Sequence, residues 1–116
     1  MQCPKCDSLD LFGKYVKERE GAVLLKHEHG FAIYKDQGDF GYLQDVYVLP
    51  DYRQTGIGRE LMQTALKMAK KSNKIALLTS TDTNANGATE SAIAILKTGF
   101  KILKTEDSMI WYILEI

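Results

Sequence analysis

Apolar positions recur along this chain with two different spacings. From Ser8 to Glu20, Leu9, Phe12 and then Tyr15 or Val16 fall three or four residues apart, and Gly21 follows. That spacing predicts a short amphipathic helix lying on a sheet and ended by the glycine. Three β-rich runs come next, AVLLKHE at 22–28, GFAIYKDQ at 30–37 and GYLQDVYVL at 41–49, parted by His-Gly and Gln-Gly-Asp. Glycine-bearing turns of this length join antiparallel neighbours, so a meander is expected. Between Gly56 and Ser72 the helical period returns. Ile57, Leu61, Ala65 and Ala69, joined by Met62, Leu66 and Met68, share one side, while Arg59, Glu60, Gln63, Lys67 and Lys70 share the other. KIALLTST at 74–81 has consecutive apolar residues, the pattern of a strand buried on both faces. TDTNANGA reads as a loop, Thr89–Thr98 as a helix closed by Gly99, and FKILKTED with SMIWYILEI as a terminal hairpin.

The predicted order is helix, three strands, helix, strand, helix, two strands. It describes one α/β domain over residues 1–116 with a mixed, mostly antiparallel sheet and a crossover in the middle. Composition adds limits. Hydrophobic residues make up 45% and charged residues 26% of the chain, as in globular proteins. No apolar run is long enough to span a membrane and no secretory pattern opens the sequence, so a cytoplasmic location is expected. Basic and acidic residues balance at 15 each, which leaves no global field to gather nucleic acid. An anionic ligand must therefore be held by a local site.

The stretch DVYVLPDYRQTGIGRELM, Asp45 to Met62, offers one. A strand stops at a proline and a helix opens on Gly56 and Gly58. The first turn of a helix carries unpaired N–H groups and the positive end of the macrodipole, and glycines remove β-carbons that would hold a phosphate away. Arg53 adds a cation and Thr55 a hydroxyl. A Walker loop would need Gly-Lys-Ser/Thr at its end, and a dinucleotide fingerprint would need a third glycine where Leu61 stands. The remaining phosphate-bearing ligand that uses such a turn is coenzyme A.

Val46, Tyr47, Val48, Pro50, Tyr52, Arg53, Gly56 and Gly58 follow V-Y-V-x-P-x-Y-R-x-x-G-x-G, and Gly99-Phe100 follows a helix containing Ala92-Ile93-Ala94. In this order and spacing they resemble the two motifs of the GNAT acyltransferase superfamily, over about residues 21–116. The resemblance implies that family's fold, with its first strand missing or replaced by residues 1–20. It also implies N-acetyl transfer from acetyl-CoA to a primary amine of a protein or small molecule. The backbone of Gln54, Thr55, Gly56, Ile57 and Gly58, with Arg59 and Arg53 near, would hold the pyrophosphate. Val46 and Val48 would bond the pantetheine arm, an N–H near Val46 would polarise the thioester, and Asn84 matches a CoA-contacting asparagine.

The match departs from the family at its acid and base. Gln44 stands where a glutamate is common and Ile95 where a tyrosine is usual. Asp45 is then the candidate base, and Tyr112, Tyr47 or water the candidate acid. The same departures suggest the competing expectation of a catalytically degenerate CoA-binding module that acts through protein contacts. Cys3 and Cys6 with His27 and His29 are enough donors for zinc, although H-x-H is shorter than the usual H-x₃₋₅-H spacing, and no metal is assigned. Terminal edge strands leave homodimer formation open.

Overall fold

The structure is a computed structural model that describes residues 4–116. A helix α1 (Pro4–Glu20) leads into the meander β1 (Ala22–His27), β2 (Gly30–Gln37) and β3 (Phe40–Val48). A 3-10 turn (Pro50–Tyr52) and helix α2 (Ile57–Lys71) follow, then β4 (Ala76–Asp82), α3 (Ala88–Thr98), β5 (Lys101–Glu106) and β6 (Met109–Glu115). The six strands form one sheet in the order β1-β2-β3-β4-β6-β5, in which only β3 and β4 are parallel neighbours. The sequence-predicted element order holds, with ends moved by up to four residues, the largest shift being the earlier start of α1. No strand precedes α1 among the described residues, so β1 is an edge strand.

Two cores lie on opposite faces. The larger packs Leu61, Met62, Ala65 and Ala69 of α2 and Ile95 of α3 onto Ala32, Tyr34, Leu43, Leu77 and Tyr112 of the sheet. The predicted apolar stripe of α2 is what reaches the sheet, and its small alanines let helix and strands come close. The smaller core sets Val16 of α1 on Ala22 and Ile33, with Phe12, Leu24 and Phe31 around them. Burial thus withdraws apolar surface on both faces of β1 and β2.

One expectation needs correction. Leu77 and Thr79 of β4 are buried, but Leu78 and Ser80 on its other face are only half-buried, Ala76 alone being buried there. The α1 core draws its strand residues from β1 and β2. A continuous apolar run signals burial on both faces only where a helix lies on each, and α1 is the one helix on that side.

No helix among the described residues is long and apolar enough to cross a membrane. Cys3 and the side chain of Cys6 lie outside the described part of the chain, and no cluster of three metal-ligating side chains occurs among the described residues. His27 and His29 have other partners. His27 Nε2 lies 3.3 Å from Glu60, its Nδ1 accepts the His29 N–H at 3.1 Å, and the His29 ring stacks on Tyr52 with centroids 3.5 Å apart.

Candidate active site

The site is built where β3 and β4 part. Phe40–Leu43 pair with Ala76–Thr79, and beyond Leu43 and Thr79 the two strands share no further register. β3 stays paired to β2 up to Val48, so only its β4 side opens. Strand backbone groups alternate sides, so every second N–H and C=O between Gln44 and Val48 faces the gap. The closed end of the fork is tied. Thr79 Oγ1 donates to the Leu43 carbonyl at 2.9 Å, and the Tyr42 and Ser80 hydroxyls are 2.9 Å apart.

At the fork β3 carries a bulge. Tyr34 faces Leu43 and Ile33 faces Asp45, which leaves Gln44 as the extra residue. Because of it, Gln44 and Asp45 both stand on the α1 face, while Leu43, Val46 and Val48 turn toward α2. Asp45, the base expected from sequence, is exposed there. Gln44 Nε2 donates to Glu20 Oε1 at the end of α1, 2.9 Å away. Sequence reasoning missed Glu20, since a contact across 24 positions between a helix end and a strand bulge leaves no local pattern.

The open end leads to the turn that precedes α2. Arg53 Nε donates to the Val48 carbonyl at 3.0 Å with its guanidinium carbon 5.7 Å from the Tyr47 ring centroid, and the Thr55 hydroxyl donates to the Tyr52 carbonyl. These contacts shape the loop that the sequence analysis assigned to anion binding. Gln54 and Gly56 have φ of 63° and 94°, a left-handed path that turns the chain into α2. The first helical bond runs from Glu60 N–H to Gly56 C=O at 3.0 Å, and no side chain caps this end. The N–H groups of Ile57, Gly58 and Arg59 therefore precede the helical ladder, with the macrodipole behind them. Ile57 is buried and anchors the turn, and Arg59 is exposed.

Gly58 differs from Gly56 in an informative way. A β-carbon at Gly58 would meet only Val48 Cγ2 at 3.8 Å and Val46 Cγ1 at 4.0 Å, ordinary contact distances. Nothing within the fold demands its bareness, whereas Gly56 is required by its φ. The geometry fits a phosphate approaching the helix end over Val46 and Val48.

Since β3 and β4 run parallel, the loops leaving their carboxyl ends share one edge of the sheet. That brings the Asn84 loop to the same edge as the turn. Asn84 is exposed and its N–H bonds Asp82 Oδ1 at 2.9 Å. Tyr112 is buried on the α2 face with its hydroxyl 3.0 Å from Thr81 Oγ1, on the stretch of β4 that has left β3. Tyr47 lies on the α1 face against Phe31, and Ile95 is a core residue. A separate cleft of about 550 Å³ runs between β1 and α2, lined by Leu25, His27, Glu60, Thr64 and Lys67 among others. It lies apart from the uncapped helix end and from the fork between β3 and β4.

Residues 5–100 match the model of the acetyltransferase (GNAT) family. The chain belongs to this family. A comparison with curated proteins gave no significant match. Among solved structures, this GNAT protein is similar to the PaiA N-acetyltransferase of Thermoplasma acidophilum in complex with coenzyme A. The two share 20% identity and a TM-score of 0.73, over 91% of this chain and 69% of that one. An acetyltransferase of Elizabethkingia anophelis with acetyl-CoA bound aligns at 19% identity and TM-score 0.70, over 100% and 92% of the two chains. The IAA acetyltransferase of Bacillus cereus aligns at 18% and 0.72, over 98% and 93%. At these identities the likeness establishes a shared fold, and the six-stranded GNAT sheet with its fork is that fold.

Proposed function

We propose that this GNAT-family protein transfers the acetyl group of acetyl-CoA to a primary amine by direct attack. The observation that carries the reading is the conjunction of an uncapped helix end at Gly56–Arg59 with an unpaired β3 edge at Gln44–Val48. One end suits a pyrophosphate and the other suits an extended pantetheine arm bonding like an added strand. Val46 and Val48 supply backbone groups to the arm. The turn Gln54–Gly58, with Arg53 and Arg59, holds the phosphates, and Asn84 stands on the same edge of the sheet.

The thioester carbonyl would receive an N–H of β3 near Val46. A donor fixed there before reaction stabilises the tetrahedral oxyanion without reorganising as charge develops. Tyr112 is the candidate acid for the departing thiolate, since its hydroxyl lies beside the splayed part of β4. Carboxylates on the α1 face, with Asp45 as the one expected from sequence, would take the proton of the incoming ammonium. Beyond α1 this face leaves Tyr42, Ser80 and Trp111 half-buried. So shallow an approach suits an exposed acceptor, a protein lysine or amino terminus, with small amines as the alternative.

Calorimetric titration of acetyl-CoA into wild type and Gly58→Asp tests the reading. The substitution sets a carboxylate where the pyrophosphate would lie. Binding by wild type that falls at least about 100-fold in a folded variant supports the site, since like charge at a desolvated contact costs several kcal/mol. Absence of binding by folded wild type would favour a protein-interaction module that has kept the fold without the chemistry.

A further inference from the structure

We propose that Glu20, delivered by the last residue of α1, is the general base of this acetyltransferase, held in place by Gln44. The inference rests on the acetyl-transfer reading above and names the residue that reading leaves open. Gln44 occupies the bulge directly after the last paired residue of the fork, Leu43. Its amide donates to Glu20 at 2.9 Å, so a half-buried carboxylate stands at the mouth of the fork, on the α1 face. An amide at position 44 cannot accept a proton, but it can orient a group that does. In effect the carboxylate has moved from strand to helix, and Gln44 has become a positioning residue.

The Glu20 carboxylate is not neutralised by a neighbouring cation. Glu20 forms no ion pair among the described residues, although Lys17 and Arg19 share the last turn of α1 and Lys35 of β2 lies on the same face. Asp45 of β3 is the other carboxylate there, and it is exposed. The half-buried carboxylate acts in the lower dielectric, where it meets an incoming ammonium more strongly than an exposed one would. The step balances as follows. The ammonium gives one proton to Glu20, directly or through one water, and the free amine attacks the thioester carbon. The C–N bond forms, the C–S bond breaks, and the thiolate takes a proton from Tyr112, which is reprotonated by the second nitrogen proton. Glu20 then returns its proton to solvent.

Thiol release from acetyl-CoA with a panel of primary amines, followed across pH 6–10, tests the assignment in wild type, Glu20→Gln and the double variant Glu20→Gln with Gln44→Glu. Acetyl-CoA affinity, measured by calorimetry for each, checks that the fold and the cosubstrate site are intact. The expected result for Glu20→Gln is unchanged acetyl-CoA affinity, with kcat/KM for the amine about 100-fold lower at pH 7, the scale of general-base catalysis. The deficit should shrink toward pH 10, where the amine has lost its proton unaided. Gln44→Glu should restore at least about tenfold to Glu20→Gln by returning a carboxylate to the bulge. A Glu20→Gln enzyme with the activity and pH profile of wild type overturns the assignment and leaves acetyl transfer standing. A wild type that binds acetyl-CoA yet acetylates no amine overturns both.

Discussion

The two halves of β3 belong to one strand and meet different fates. Phe40–Leu43 are zipped to β4, tied by Thr79 and by the Tyr42–Ser80 hydroxyl pair, and Leu43 is fully buried. Asp45–Val48 remain paired to β2 and, like the bulged Gln44, have lost β4, with Asp45 and Tyr47 exposed. The first half spends its backbone hydrogen bonds on the fold. The second leaves one side of its backbone without a strand partner, and the bulge at Gln44 marks the change within the nine residues of β3.

The comparison can be broken most forcefully from its closed side. Leu43→Ala should cost about 2–5 kcal/mol, the range for truncating a buried leucine, because the packed sheet and α2 cannot collapse into the space. Denaturant melts would read the loss. Thr79→Val keeps the shape but removes the donor to the Leu43 carbonyl, so about 1–2 kcal/mol should go while the core stays packed. The open side should answer differently. Gly58→Ala adds a β-carbon that meets its neighbours at ordinary distances and a residue with better helix propensity, so thermal stability should rise by about 0.5 kcal/mol. Acetyl-CoA affinity should nonetheless fall severalfold. A variant that loses both, or neither, would show that the glycine serves the fold and not a ligand.

The smallest effect concerns the turn that leads into the closed half. Lys74 bonds both Asp36 Oδ1 and the Gly38 carbonyl, and this ammonium holds the Asp36 carboxyl below its usual range. A carboxyl depressed in the folded state stabilises above its unfolded value and loses that contribution as pH falls through the folded value. Melting temperature should therefore drop from pH 5 to pH 2 slightly more in wild type than in Asp36→Asn. The exposed position of Asp36 and screening by water keep the difference small.

Much of this was legible in the residues themselves. The period of Ile57, Leu61, Ala65 and Ala69 located α2 because a helix has to bury one stripe, and the glycine turns located the meander because chain reversal needs them. The tight turn into α2 and its bare first residues were legible too, since Gly56 and Gly58 sit in one local motif. The carboxylate at the fork was not. Asp45 follows the motif in sequence, but the bulge that sets it beside Gln44 on the α1 face arises from pairing with β2, and Glu20 arrives from the end of another element.

The sequence by itself determined the elements, their order, the family and the bare helix mouth, all of which rest on interactions within a few residues or on one continuous apolar stripe. Only the tertiary structure decided where β3 and β4 part, which face each carboxylate takes, and that Gln44 meets Glu20. Those depend on strand register and on how a helix lies across a sheet, where one extra residue redirects side chains and no local spacing records the result.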